Sequence, residues 1–200
     1  MYSALRIDQI LNGIIMGISK EKMLLGDFEI LYEVSKGKDV IVELGTSRGF
    51  AAMIMSLGGA EVYTIDNYKE FEDEYVSNLL DKEDSERVRN TVAKYLSLFG
   101  KITQIYGDTV EVAKIHFEEK SVDMLYIDAK HTYEAVKNDF FAWFPKVKEG
   151  GLILFHDCSN IHLGVQEFVD GITGFNEIEE MKIPTLGGTV IRIFRKKKIC

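Results

Sequence analysis

Cysteine, proline and an excess of positive charge are what this 200-residue chain lacks. Its two cysteines, Cys158 and Cys200, are too few for a disulfide framework and have no CxxC spacing for zinc or redox work. A reducing cytoplasm is therefore the expected compartment. Two prolines and no low-complexity tract argue against modules strung on a flexible linker, and the length suits a single domain over 1–200. The most apolar early stretch, ILNGIIMGI, falls far short of the ~20 residues a membrane helix needs. The opening MYSALRIDQI has no basic region ahead of an apolar run, so no signal peptide is expected. Lys and Arg number 24 against 32 Asp and Glu, a formal charge of −8, which argues against a general polyanion binder because phosphate binding wants positive excess.

What is present is an alternation of short apolar strands with amphipathic helices. Leu5, Ile7, Ile10, Leu11, Ile14 and Ile15 fall at helical spacing, and a second, weaker helix covers Phe28 to Val34. From Val40 onward the pattern alternates. Strands are expected at 40–44, 61–65, 102–106, 122–127 and 152–155, with helices at 50–57, 85–99, 109–117, 132–144 and 164–171. Lys148 to Gly151 reads as a turn, and 177–182 with 189–194 as a closing antiparallel hairpin. The order predicts a three-layer α/β fold with a mostly parallel seven-stranded sheet, N-terminal helices over 1–37 and a core over 38–200. Ligands of such sheets bind beyond the carboxyl ends of the strands. Those ends carry Glu43, Asp66, Asp108, Asp128 and His156-Asp157.

Gly45-Thr46-Ser47-Arg48-Gly49 joins the first strand to its helix, a loop in which glycines let backbone N–H groups approach a ligand. Asp66 closes the second strand about twenty residues on, placed to accept hydrogen bonds from ribose hydroxyls. The spacing Glu43-Leu44-Gly45-x-x-x-Gly49 has one glycine fewer than the GxGxxG of dinucleotide sites. It resembles the first signature of the Rossmann-like, class I S-adenosylmethionine-dependent methyltransferases. That resemblance implies that Glu43, Gly45, Thr46 and Gly49 surround the methionine part of the cofactor, that Asp66 holds its ribose, and that Asp108 lies on the adenine side. Asp108 also reads as the cap of the helix that starts at Thr109, and the two roles are compatible.

The stretch YIDAKHTYEAVKNDFFAWFPKVKEGGLILFHD is similar to a methyltransferase subgroup with Ile-Asp-x-x-His-x-Tyr, then Gly-Gly, then a strand ending His-Asp. The subgroup resembles macrolide and catechol O-methyltransferases and proteins named cephalosporin hydroxylases. Asp128 and Asp157 end neighbouring strands, where two carboxylates repel unless a cation or proton intervenes. A hard divalent cation such as Mg²⁺ suits them, and the resemblance implies a metal at Asp128 and Asp157 that holds the acceptor. The chain departs from the macrolide enzymes at His156, where they have a carboxylate, and from the catechol enzymes at Cys158, where they have asparagine; Asn160 is a possible substitute. The alternative is that Asp128 binds the methionine amino group and Asp157 serves structure. His131 sits at the offset of the general base in these relatives, and imidazole suits that task near neutral pH; the competing reading has it capping the next helix and packing on Tyr133. His156 is expected to support the site residues from behind or to be structural, and His116 and His162 to lie at the surface.

These readings favour O-methylation of a small molecule, with no nucleic acid or membrane partner expected and homo-oligomerisation through the N-terminal helices open. Residues 66–86 hold nine acids and two lysines, net −7, which reads either as an acceptor-pocket lid or as a solvated helix. The basic tail RIFRKKK is the feature that suits the competing reading, methylation of RNA or protein. A nicotinamide-dependent oxidoreductase or a non-catalytic nucleotide-binding module is the remaining alternative.

Overall fold

The structure, a computed structural model, describes residues 25–69, 85–183 and 189–198. Helix α1 spans Leu25–Ser35, β1 Val40–Leu44, α2 Phe50–Leu57 and β2 Glu61–Asp66. Then come α3 Ser85–Leu96 with a 3₁₀ turn Ser97–Phe99, β3 Ile102–Tyr106, α4 Thr109–His116 and β4 Val122–Ile127. The remainder is α5 Tyr133–Trp143, a 3₁₀ turn Phe144–Lys146, β5 Val147–Phe155, α6 Leu163–Ile172, β6 Ile178–Met181 and β7 Arg192–Lys196. Among the described residues, no helix is long and apolar enough to cross a membrane.

The strands form one seven-stranded sheet in the order β3-β2-β1-β4-β5-β7-β6. The first five are parallel, and β7 pairs antiparallel with both β5 and β6. This is the three-layer α/β arrangement that the alternation predicted, with the mostly parallel seven-stranded sheet that the resemblance implied. Successive strand residues point to opposite faces, so Ile41, Met124 and Leu152 join one apolar cluster with α1, α2 and α3. Val42, Leu125 and Ile153 join the other with α4, α5 and α6. Both faces are covered, which is why the central strands read as continuous apolar runs.

Three details differ from the sequence expectation. The turn expected at 148–151 lies inside β5, where the pairing with β4 shifts register between Val122 and Met124 and Gly150 takes φ 81. A left-handed glycine absorbs the extra residue and the strand continues. The last strand starts at Arg192 rather than Thr189, because Thr189 and Val190 instead bond Asp27 of α1. The basic tail is partly consumed by the fold: Arg192 pairs with Asp170 at 2.6 Å and Glu180 at 2.7 Å, and buried Lys196 donates to the carbonyls of Phe144 and Val147. The helix expected over Leu5–Ile15, the acidic stretch 70–84 and Cys200 lie outside the described residues.

Candidate functional site

The chain leaves β1 for one side of the sheet and β4 for the other, so the crevice of this fold opens between their carboxyl ends. Backbone pairing continues one residue past each strand. Gly107 N–H donates to Asp66, Gly45 to Ile65, Asp128 to Leu44 and His156 to Ile127. Gly45, Gly107, Asp128 and His156 are thus held by the sheet's own hydrogen-bond ladder.

Gly45 has φ 95, and a Cβ built on it would lie 2.1 Å from the Asp128 carbonyl oxygen. Only glycine allows the two strand ends to approach this closely. Gly49 stands at the N-terminus of α2, its N–H bonded to the Thr46 carbonyl at 2.7 Å. Glu43 is buried between its register partners Thr64 and Tyr126. Thr64 Oγ1 lies 2.5 Å from Glu43 Oε2 and 2.7 Å from Thr46 Oγ1, a chain that ties the strand acid to the loop. Burial pushes the Glu43 carboxyl well up, helped by the negative charge of Asp128 and Asp66, while the Thr64 hydroxyl opposes. An electropositive ligand in the crevice would offset that cost.

Asp66 accepts the Ser47 N–H at 2.8 Å and the Tyr68 N–H at 2.6 Å, one on each carboxylate oxygen. It therefore clamps the glycine loop while a second lone pair on each oxygen remains. Burial raises its pKa against these bonds. Asp108 is the N-cap of α4, accepting from Val110 at 3.0 Å and Glu111 at 3.2 Å through Oδ1. Tyr68 (φ 55), Ser85, Glu86, Arg89 and Tyr106 line a cavity of about 310 Å³ beside the Asp66 end of β2.

The second group gathers after β4 and β5. His131 Nε2 lies 2.9 Å from Asp157 Oδ2 and 3.8 Å from Asp128 Oδ1. His156 Nδ1 lies 3.2 Å from both carboxylates. Asp128 also accepts the Tyr126 hydroxyl at 3.2 Å. Asp157 has φ 57, a left-handed backbone rare outside glycine and asparagine-type residues, and backbone strain of this kind collects at functional sites. Gly164, at the start of α6, fixes the His131 segment: a Cβ there would lie 2.7 Å from the His131 carbonyl.

The electrostatics are those of opposed charges. Burial disfavours charge on His131, but the Asp128 and Asp157 carboxylates outweigh it and lift the imidazole to about 10. His156 follows the same logic and rises to about 12. Burial would raise both aspartates, and the two imidazoles pull them below the usual carboxylate range instead. Facing these carboxylates alone, His131 stays protonated through neutral pH and cannot accept a proton there.

The structure brings together Asp128, His131 and Asp157 as the sequence suggested, and Glu43, Gly45, Thr46, Gly49 and Asp66 around the adjoining loop. His156, expected behind the site or in a structural role, touches both Asp128 and Asp157. His162 is not simply at the surface: its ring lies 4.3 Å from that of His131, and its Nε2 is 3.7 Å from Asp157 Oδ1. His131 does not pack on Tyr133, whose ring meets Phe168. Asn160 is exposed in the loop beyond. Asp27 was missed altogether. It is fully buried on α1 and reaches His156 Nε2 at 3.4 Å. A signal existed, because Asp27, Ile30, Leu31 and Val34 form one helical stripe and an acid on a buried stripe calls for a partner.

Comparison with known proteins bears on the family and the fold. Residues 42–158 match the family described as "Methyltransferase domain". A curated protein of Sinorhizobium fredii, carried only as uncharacterized protein y4gI, is 29% identical over 123 residues, 58% of this chain; the chain spans 13% of that protein's length. The O-methyltransferase of Bacillus cereus, solved with SAH, superposes with TM-score 0.65 at 15% identity over 99% of this chain and 93% of its own. The O-methyltransferase TomG of Streptomyces achromogenes, solved with SAM, gives 0.59 at 12% identity over 86% and 80%. An rRNA methylase from Streptococcus thermophilus gives 0.55 at 12% identity over 86% and 95%, so the fold alone does not separate acceptor classes.

Proposed function

Because this chain belongs to the methyltransferase-domain family, we propose that it transfers the methyl group of S-adenosylmethionine to a hydroxyl of a small molecule. The observation that carries this reading is the convergence at the β1/β4 crevice. There the Gly45–Gly49 loop, Asp66 and Asp128 stand on adjacent strand ends, with His131 beside them. Glu43, Gly45, Thr46 and Gly49 would hold the methionine end, Asp66 the ribose hydroxyls, and Asp108 the adenine side. A cationic methionine end would sit favourably against buried Glu43, whose charge is otherwise costly.

When bound, S-adenosylmethionine supplies an electrophilic methyl group, and a divalent cation at Asp128 and Asp157 would supply positive charge for holding an acceptor oxygen. The donor set fits a cation: the Asp128 and Asp157 carboxylates converge with His156 Nδ1, which makes no well-aligned hydrogen bond. In our reading His131 Nε2 receives the acceptor's proton. Sharing the carboxylates with a second cation is what would bring this imidazole down into the range where it can do so. Alignment of the acceptor supplies much of the remaining rate. The low cysteine content fits a cytoplasmic location.

Calorimetry with S-adenosylmethionine, S-adenosylhomocysteine and NAD tests the proposal. The two sulfur compounds are expected to bind and NAD is not; NAD binding without either sulfur compound overturns it. His131→Ala should retain S-adenosylhomocysteine binding while losing on the order of 100-fold or more in turnover of phenolic or alcoholic acceptors. Unchanged turnover removes His131 from the reaction.

A further inference from the structure

His156 is 6% exposed, yet its Nδ1 makes no well-aligned hydrogen bond. The other ring nitrogen explains which way the ring is held. His156 Nε2 lies 3.4 Å from Oδ2 of Asp27, a fully buried carboxylate whose Oδ1 is already anchored by the Thr189 hydroxyl at 2.6 Å and the Val190 N–H at 3.2 Å. An ionised Asp27 accepts, so Nε2 keeps its proton, and Nδ1 is the nitrogen that becomes a donor atom when a cation displaces its proton. Nδ1 faces Asp128 Oδ1 and Asp157 Oδ2, each at 3.2 Å. Three electron-rich atoms meeting this closely suit the ligand spacing of about 3 Å around a six-coordinate ion with bonds near ~2.1 Å. A carboxylate behind a metal-binding histidine, fixing its tautomer, is the usual outer partner of such a site.

We propose that Asp128, His156 through Nδ1, and Asp157 form a mixed nitrogen–oxygen metal site selective for a first-row transition ion such as Mn²⁺, Co²⁺ or Zn²⁺ over Mg²⁺, with Asp27 as its positioning residue. The reason is ligand chemistry. Mg²⁺ favours all-oxygen surroundings, whereas imidazole suits the transition ions. The inference sharpens the proposed divalent cation and rests on that part of the functional reading, but it does not require methyl transfer. His131 stays outside the ligand set, free for its proposed role, and His162 lies beyond it against Asp157 Oδ1.

The test uses the full chain after chelation, with equilibrium dialysis against Mn²⁺, Zn²⁺ and Mg²⁺ and elemental analysis of bound metal. One equivalent of Mn²⁺ or Zn²⁺ is expected to bind, with Mg²⁺ weaker by on the order of tenfold or more. Pulsed electron paramagnetic resonance of the Mn²⁺ form should report a directly bound nitrogen, lost in His156→Gln and kept in His162→Gln. Asp27→Asn is expected to weaken Mn²⁺ binding by roughly 10- to 100-fold without changing stoichiometry. Circular dichroism checks that each variant is folded; if His156→Gln is not, the nitrogen signal and the Mg²⁺ comparison in the parent chain decide alone. Equal affinity for Mg²⁺ and Mn²⁺, no nitrogen coupling, or no stoichiometric metal overturns the proposal. S-adenosylhomocysteine calorimetry on the same samples is read separately, so failure of the metal site and failure of the methyltransferase reading are distinguishable.

Discussion

Gly45→Ala is the sharpest single perturbation of the crevice, and Gly59→Ala is its built-in control. Both glycines hold nearly the same left-handed φ, 95 and 101. At Gly59 nothing lies within 4 Å of an added Cβ, so alanine there should cost only the backbone penalty of about 1–2 kcal/mol. At Gly45 the new Cβ would lie 2.1 Å from the Asp128 carbonyl oxygen, 2.7 Å from its carbon and 2.9 Å from Ala129 Cα. These are backbone atoms paired into the sheet, with Asp128 N–H bonded to Leu44, so they cannot swing away as a side chain would. Overpacking of this kind adds roughly 1–3 kcal/mol, and Gly45→Ala should cost about 2–5 kcal/mol in all. Urea unfolding of both variants measures the difference. The Gly45 variant should also lose S-adenosylhomocysteine affinity, because relief of the clash moves the strand end that carries Asp128. Equal destabilisation of the two variants, with binding intact in both, would refute the close approach as the reason for glycine at 45.

Asp139, 4% exposed and bonded to the Thr109 hydroxyl, is raised by burial to about 6. The folded chain therefore binds its proton more tightly than the unfolded chain, and stability falls as pH rises from about 4 through about 6. The loss is roughly 3 kcal/mol and flat above that window. Asp139→Asn should remove this slope from urea midpoints taken between pH 4 and 7; parallel curves for parent and variant would rule the assignment out. Asp108→Ala leaves two amides of the first turn of α4 without an acceptor and should cost about 1 kcal/mol. Asp108→Asn keeps the cap, so weaker cofactor binding in that variant alone marks a ligand role, while unchanged binding limits Asp108 to capping.

The local signals were read directly wherever one residue type answers one physical demand. A β-branched run between Gly37 and Gly45 gave β1, Gly100 stopped the α3 segment, and the acid at the end of β2 landed against the glycine loop. The expected turn at 148–151 failed because Glu149-Gly150-Gly151 carries turn chemistry that a bulge uses equally well. Only the pairing with β4 decides between them. The site was half legible for a related reason. Asp128, His131 and Asp157 sit close in sequence to strand ends whose adjacency follows from topology. Asp27 lies 129 residues before the histidine it holds, and no periodic pattern announces which strand end a helix will cover.

Asp27 also changes what the negative charge of the chain means. Of the formal −8, −7 falls within residues 66–86, so the rest of the sequence is nearly neutral. Within that neutral part the costly acids are concentrated. Asp27, Asp128 and Asp157 surround His156, and Glu43 lies buried two strand positions before Gly45. Two described cations of the basic tail are committed elsewhere: Arg192 to Asp170 and Glu180, and Lys196 to the carbonyls beneath α5. Imidazolium charge on His131 and His156 is what faces the Asp128 and Asp157 carboxylates in the protein by itself. A site balanced by protons is one from which a cation can displace them, so metal binding here should release protons and strengthen as pH rises. The same arrangement ties two proposed roles together: the ion that takes up the carboxylate charge is also what would leave His131 able to act as a base.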